Sequence, residues 1–267
     1  MRLTFLGTGT SMGIPMIGCE CAVCRSTDPH NRRLRTSALV EVDGLQILID
    51  AGPDLRQQAL NSGLRRVDAV LLTHAHADHI AGIDDLRPFN FLQRATIPIF
   101  GNHRTLAAVR ERYSYAFSQH TSAGSTRPAL ELYEIQGGHP IQIGSTSILP
   151  IDVEHGDWTI SGFRIGPLGY VTDASLVRAS ARALLHGLDT LVLNALRHTP
   201  HPTHFTIGQA LELIEELRPR RTLLVHMSHE LDHETANAEL PPQVRLAFDG
   251  QVVEIEEQPC ESPLMPG

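Results

Sequence analysis

Four metal-binding side chains within six residues constrain this chain more than any other feature of its sequence. An apolar run over 67–72 leads directly into His74, His76, Asp78 and His79. In an extended backbone, side chains two residues apart point the same way, so His74 and His76 can face one centre. Imidazole nitrogens and carboxylate oxygens are ligands of divalent ions such as Zn²⁺ and Mn²⁺. The pattern therefore predicts a metal site at a strand end, rather than a surface loop that happens to be rich in histidine.

The rest of the chain has the pattern of an α/β protein. Short apolar runs alternate with amphipathic stretches throughout its 267 residues. We expect two sheets covered by helices, in four layers. Asp43-Gly44 predicts a tight hairpin, and helices are predicted over 79–88 and over 207–217, the latter with Thr206 as N-cap. One domain is expected over 1–255, followed by a loose tail over 256–267 that holds three prolines.

Charge and hydropathy limit the partners. The 22 Lys and Arg residues against 30 Asp and Glu give a net charge of −8, and the basic residues form only short clusters, at 32–35 and 218–221. This balance argues against a nucleic-acid substrate beyond cyclic nucleotides, whereas a small anion can bind through metal charge. No apolar run approaches the ~18 residues that span a membrane, and the apolar start over 1–6 is too short for a signal peptide. We therefore expect a cytoplasmic protein without a membrane partner, and a homodimer stays open.

A cysteine cluster indicates a second metal site. Three thiolates this close are not typical of paired disulfides, and a tetrahedral structural zinc site needs one more ligand. His229 fits best, while a redox cluster or a group of buried thiols is the alternative. The fourth cysteine, Cys260, lies in the tail and receives no role. The three clustered residues are Cys19, Cys21 and Cys24.

The metal motif, together with the strand and turn over 48–52, resembles the signature of the metallo-β-lactamase-fold hydrolases. The resemblance covers nearly the whole chain and implies a four-layer αββα fold, with two mixed sheets sandwiched between helices. It also implies further ligands at the ends of later strands. By this resemblance one ion is held by His74, His76 and His155, a second by Asp78, His79 and His226, and Asp173 bridges both.

The cysteine loop over 18–24 is similar to that of the PhnP group of phosphodiesterases, which act in phosphonate breakdown and carry an extra zinc. The resemblance implies a dinuclear phosphoric diester hydrolase with two Zn or Mn ions and one structural Zn. Its substrate would be a small phosphodiester, such as phosphoribosyl 1,2-cyclic phosphate, attacked by a metal-bridging hydroxide. The alternatives are an RNase Z-like nuclease, a β-lactamase or thioester hydrolase, and a PqqB-like protein that binds a small molecule without hydrolysis.

Three more histidines crowd the loop before the last predicted helix. In PhnP-like and tRNase Z-like proteins a histidine in this loop assists catalysis, which implies that His204 is the general acid. His201 is its rival, and His198 is expected at the rim. Asp78 is expected to hold metal and to accept a hydrogen bond from the nucleophile. Asp84 and Asp85 flank a helix, with the alternative that one of them orients a metal-binding imidazole.

Overall fold

The computed structural model describes residues 1–118 and 126–256. The strands of these residues form two sheets of seven strands each. In chain order they are β1 (Arg2–Gly7), β2 (Ser37–Val42), β3 (Leu45–Ile49), β4 (Ala69–Leu71), β5 (Ile97–Gly101), β6 (Leu130–Glu134), β7 (Ile141–Ile143), β8 (Thr146–His155), β9 (Trp158–Ile165), β10 (Leu168–Val171), β11 (Thr190–Asn194), β12 (Arg221–Val225), β13 (Val244–Leu246) and β14 (Val252–Glu254).

Both sheets are mixed. The first has the order β14-β1-β2-β3-β4-β5-β6 and the second β13-β12-β11-β10-β9-β8-β7. Strands β3 to β6 are parallel, as are β10 to β13, and the remaining pairs are antiparallel. Asp43 and Gly44, with φ of 51° and 77°, form the predicted two-residue hairpin.

Helices flank the two sheets, as predicted. Short 3₁₀ turns occur at Pro29–Asn31 and Ile83–Leu86. Within the described residues, no helix is both long and apolar enough to cross a membrane. The α-helices are α1 (Leu55–Ser62), α2 (Ala77–Ile80), α3 (Arg87–Gln93), α4 (His103–Arg112), α5 (Ser114–Phe117), α6 (Ala179–Leu184), α7 (Ile207–Leu217) and α8 (His233–Glu239).

Helix α7 has the predicted bounds because its first turn is capped by side chains. The Thr206 hydroxyl accepts the Gln209 amide proton, and the Gln209 side chain accepts the Thr206 amide proton. Such a capping box satisfies two amides that otherwise lack helical partners. The other face of α7 buries Ala210, Ile214 and Leu217 against the second sheet.

The helix predicted over 79–88 is wrong, because the chain forms α2, a 3₁₀ turn and α3 there. A close approach between two turns separates these pieces. The Gly82 amide donates to the Ala51 carbonyl oxygen at 2.8 Å, and a Cβ at Gly82 would lie 1.9 Å from the Gly52 carbonyl oxygen. The backbone at Gly82 therefore bonds to the neighbouring turn instead of continuing a helix.

Three apolar layers match the four structural layers. One lies between the sheets and includes Phe5, Phe163 and Tyr170. The others pack each sheet against its own helices. The predicted tail lies outside the described residues beyond Glu256, as does Cys260.

Candidate metal centre

The predicted metal-binding side chains follow strand ends in both sheets. His74 comes after β4 in the first sheet. In the second sheet His155 is the last residue of β8, and Asp173 and His226 follow β10 and β12. Parallel strands bring their carboxyl ends to one edge, so these residues meet where the two sheets lie together.

Their ligand atoms form two adjoining groups. Within each group, all ligand atoms lie within 4.8 Å of one another. Asp173 is central, since one carboxylate oxygen lies 2.9 Å from His226 Nε2 and the other 3.4 Å from His79 Nε2. The first group is His74, His76 and His155, and the second is Asp78, His79, Asp173 and His226.

Three buried residues of this region have left-handed backbones. Asp50, Asp173 and His226 have φ of 62°, 60° and 57°. Residues other than glycine adopt this conformation at a cost, and it persists where the surroundings hold it in place. Buried Asn194 holds the backbone after Asp173: its amide oxygen accepts the Ala174 N–H at 2.8 Å, and its amide nitrogen donates to the Ala174 carbonyl at 2.9 Å.

Asp50 orients two of the imidazoles from behind. Asp50 is fully buried. Its Oδ2 accepts a hydrogen bond from His79 Nδ1 at 2.7 Å and another from the Thr73 hydroxyl at 2.8 Å. The Thr73 hydroxyl has a single proton, which it donates to Asp50. Its oxygen therefore accepts a hydrogen bond from His74 Nδ1 at 3.0 Å. These Nδ1 contacts leave Nε2 of both rings directed towards the ligand groups, His74 Nε2 to His76 and His79 Nε2 to Asp78 and Asp173.

The role of Asp50 was not predicted from the sequence, although an acidic residue after a buried strand next to the motif was a usable signal. Asp84 was predicted as an alternative for this role. It instead forms an ion pair with Arg87 at 3.1 Å and accepts a hydrogen bond from the Tyr115 hydroxyl. His155 is oriented separately, since its Nδ1 donates to the Thr203 carbonyl oxygen at 2.8 Å.

The electrostatics of the cluster fit divalent cations. Burial alone would raise the pKa of Asp173, but His226 and His79 hold it well below its usual range. Burial would likewise lower the pKa of His226, yet Asp173 and Asp78 raise it to about 9. The carboxylates thus favour the charged form of these buried imidazoles, although their contacts with His79 Nε2 and His226 Nε2 do not have hydrogen-bond geometry, and no other described residue hydrogen-bonds to either nitrogen. Divalent cations would supply that charge and give both nitrogens a partner.

The first group suits a metal ion for a different reason. Burial, followed by the neighbouring imidazoles, lowers the pKa of His74 and of His76. Both rings are therefore neutral, which is the form that binds metals. His74 Nε2 and His76 Nδ1 lie 2.9 Å apart, so both can point to one ion.

His204 lies among these ligands, whereas its rival His201 lies one ring farther out. The His204 ring stacks on His226 with centroids 4.7 Å apart, and its Nδ1 is 3.7 Å from Asp173. The ring centres of His201 and His204 lie 5.0 Å apart. His198 is exposed. Burial, with His226 next, lowers the pKa of His204 to about 3.

The cysteine loop and His229 come together as a separate group of four ligand atoms. Cys19 Sγ and Cys21 Sγ lie 3.2 and 3.3 Å from His229 Nδ1. The Cys24 amide and His229 lower the pKa of Cys21 to about 6, whereas burial raises the pKa of Cys24 to about 11. Three sulfur atoms and one imidazole nitrogen are a ligand set of structural zinc.

Comparison with known proteins identifies similar chains. A family model described as a beta-lactamase superfamily domain matches residues 46–227. A diphosphatase from the PhnP family, known from a crystal structure, is 41% identical in sequence to this chain. The two structures superpose with a TM-score of 0.89, and the match covers 96% of this chain and 98% of that one.

Two curated relatives have different names. An octanoyltransferase of Porphyromonas gingivalis is 38% identical over 97% of this chain and 52% of that protein. A ribonuclease Z of Bradyrhizobium diazoefficiens is 33% identical over 60% of this chain and 48% of that protein. This chain therefore spans about half the length of these curated relatives.

Proposed function

This chain belongs to the β-lactamase superfamily as a PhnP-like hydrolase, and from this premise we propose that it is a dinuclear metal-dependent hydrolase of a small phosphodiester. The observation that carries the proposal is the pair of adjoining ligand groups with His204 stacked beside them. We propose that residues 1–255 act as one hydrolase domain, because the ligands come from both sheets.

The proposed metal assignment follows the two groups. One ion would be held by the three histidines of the first group and a second by Asp78, His79 and His226, with Asp173 between them. When bound, two divalent ions lower the pKa of water and neutralise the oxygens of a phosphoryl group. The cysteine group would hold a structural zinc. Cyclic ribose phosphates, including phosphoribosyl 1,2-cyclic phosphate of phosphonate metabolism, belong to the proposed substrate class.

The chain's own residues would bind and protonate the substrate. Asp78 is 10% exposed at its side chain, so its carboxylate can accept a hydrogen bond from the attacking group as well as hold metal. His204 would donate a proton to the leaving oxygen. Burial and His226 keep free His204 neutral, whereas the negative charge of a bound phosphate favours the protonated form of this imidazole. We therefore expect His204 to gain its proton in the substrate complex.

The leaving group provides the test of this role. His204→Ala should slow hydrolysis of 2′,3′-cyclic AMP by ~10²–10⁴-fold, the usual contribution of a general acid. Hydrolysis of bis(p-nitrophenyl) phosphate should slow much less, because p-nitrophenolate leaves without a proton. His198→Ala, from the exposed part of the same loop, is the matched control. An equal loss on both substrates would assign His204 to phosphate binding instead.

A second candidate is hydrolysis of a diphosphate, because the 41% identical PhnP-family structure is a diphosphatase. Inorganic diphosphate and ADP in the same panel separate an anhydride from an ester substrate. A precursor tRNA in the panel tests the ribonuclease Z alternative. We do not propose acyl transfer, since the chain spans only 52% of the relative that has that name.

Metal content separates the hydrolase from a PqqB-like binding protein. A dinuclear centre and a structural zinc predict about three metal ions per chain, whereas the binding protein predicts about one. Inductively coupled plasma mass spectrometry of the purified protein measures the number of metal ions per chain. One ion per chain, together with no turnover of any substrate in the panel, would overturn the proposed function.

A further inference from the structure

We propose that Arg104 and Trp158 form a subsite for a second anionic group of the substrate, such as a terminal phosphate, next to the reacting phosphoryl group. This inference rests on the proposed function and narrows its substrate class to phosphodiesters or diphosphates that carry a further negative charge. Neither residue takes part in the ligand groups described above.

Trp158 connects the subsite to the first ligand group. It is the cross-strand partner of His155 in the β8–β9 hairpin. Its ring centre also lies 4.7 Å from that of His76. The indole therefore borders His76, and its backbone pairs with that of His155, another of the histidines proposed to hold one ion.

Arg104 is an exposed cation held over this indole. Its guanidinium carbon lies 3.5 Å from the Trp158 ring centre. The Trp158 ring thus lies next to both groups, because its centre is also close to that of His76. The guanidinium carbon is therefore at most about 8 Å from the His76 ring centre. Among the ion pairs of the described residues, none involves Arg104, so its charge is free for a ligand.

Both ends of α4 are fixed to the segments that carry the ligands. At its start, the Asn102 side chain caps the helix through the Thr105 amide and donates to the Thr159 carbonyl at 3.3 Å. At its end, Arg112 donates to the Ala75 carbonyl at 2.9 Å, within the metal motif. Arg104 thus lies on a helix that is hydrogen-bonded at both ends to the segments carrying the ligand groups.

The chemistry of this pair suits a phosphate. Stacking of a guanidinium on an aromatic face leaves its N–H groups free at the edge, where they can bind two phosphate oxygens. Stacking also orders the arginine before the substrate arrives, which lowers the entropic cost of binding. In a chain of net charge −8, an unpaired cation beside the centre would select an anion locally.

A pair of substrates that differ by one phosphate tests the subsite. We expect Arg104→Gln to raise KM for 5′-phosphorylated 2′,3′-cyclic AMP by about tenfold or more, because a hydrogen-bonded charge pair is lost. KM for 2′,3′-cyclic AMP itself should change less than about twofold, and kcat should change little for either. Arg104→Lys should be intermediate, because it keeps the charge and loses the planar fork.

Arg110→Gln is the matched control. It removes an exposed arginine from the same helix, where no contact with Trp158 occurs. It should leave both KM values unchanged. Equal effects of Arg104→Gln on the two substrates, or equal effects of both variants, would overturn the subsite while leaving the proposed function in place.

A binding measurement tests the subsite even if neither nucleotide is hydrolysed. Trp158 is the single tryptophan of the chain, so intrinsic fluorescence reports on its surroundings. Methylenediphosphonate should change this fluorescence saturably in the protein as purified with its metals. Arg104→Gln should weaken that binding by about tenfold while affinity for inorganic phosphate stays the same. Unchanged affinity for methylenediphosphonate would refute the subsite on its own.

Discussion

Asp50→Asn is the sharpest perturbation of the metal centre that leaves every proposed ligand in place. The replacement has almost the same shape as the buried carboxylate. Asp50 Oδ1 accepts the Thr73 amide proton at 2.8 Å, while Oδ2 accepts from His79 Nδ1 and the Thr73 hydroxyl. All three neighbours thus act as donors, and a carboxylate can accept from all of them.

An asparagine at this position must place its NH₂ group towards one of these donors. If the NH₂ faces the Thr73 amide, a buried N–H loses its acceptor, at a cost of about 1–3 kcal/mol in the free energy of unfolding. If it faces His79, Nδ1 must accept, and the proton moves to the Nε2 proposed to bind metal. Loss of such an orienting partner typically lowers metal affinity ~10–100-fold.

Metal titration and unfolding distinguish the two orientations. Plasma mass spectrometry after dialysis against graded chelator gives the affinity of the centre, and chemical denaturation of the metal-free protein gives its stability. Asp68→Asn is the matched control, because Asp68 also accepts a backbone N–H, from Gln46 at 2.7 Å, and pairs with Arg66. It should leave metal affinity unchanged.

One result would refute this reasoning. If Asp50→Asn bound the catalytic ions with the affinity of the wild type and were no less stable than Asp68→Asn, Asp50 would not orient the imidazoles. Loss of the zinc at the cysteine group in the same variant would instead indicate general misfolding.

Three further predictions concern separate parts of the molecule. Asp173→Ala should remove both catalytic ions and keep the zinc of the cysteine group; dialysis and metal analysis would contradict this if two catalytic ions remained. In the metal-free protein at pH 7, iodoacetamide should alkylate Cys21 before Cys24, because a pKa of about 6 leaves Cys21 as thiolate while a pKa of about 11 keeps Cys24 protonated. The Cys21 rate should fall as the pH drops through about 6, and zinc should block both reactions in peptide mass spectrometry; faster labelling of Cys24 would reverse the assignment. Asn194→Leu should lower the free energy of unfolding by at least about 1–3 kcal/mol, since it leaves buried backbone groups unpaired, and an unchanged denaturation midpoint would contradict this.

Local signals in the sequence were sufficient for much of the fold. The Asp43-Gly44 hairpin depends on two adjacent residues that tolerate positive φ. The helix over 207–217 depends on its cap and on one apolar stripe. The apolar run over 67–72 contains β4 (Ala69–Leu71), because its buried apolar residues are followed directly by the polar residues of the motif.

Features that depend on distant contacts could not be predicted in this way. The break at Gly82 comes from a turn some thirty positions earlier in the chain. Strand β13 has only three residues and is ordered by pairing with β12. The orienting contacts of Asp50 and Asn194 join strand ends that only the folded sheets bring together. The motif thus indicated metal chemistry, while the contacts that orient its ligands appear only in three dimensions.

The division of the ligands between the two sheets has a consequence for how the protein assembles. The segment from His74 to His79 follows β4 of the first sheet, whereas His155 ends β8, and Asp173 and His226 follow β10 and β12, in the second sheet. Neither half of the chain contains all the proposed ligands, so the proposed centre would form only after both sheets have folded and docked. Contacts between such distant segments form late, because closing long loops costs entropy before the contacts can repay it. The rate of metal uptake during refolding would therefore measure the final docking of the two sheets, separately from the formation of each sheet.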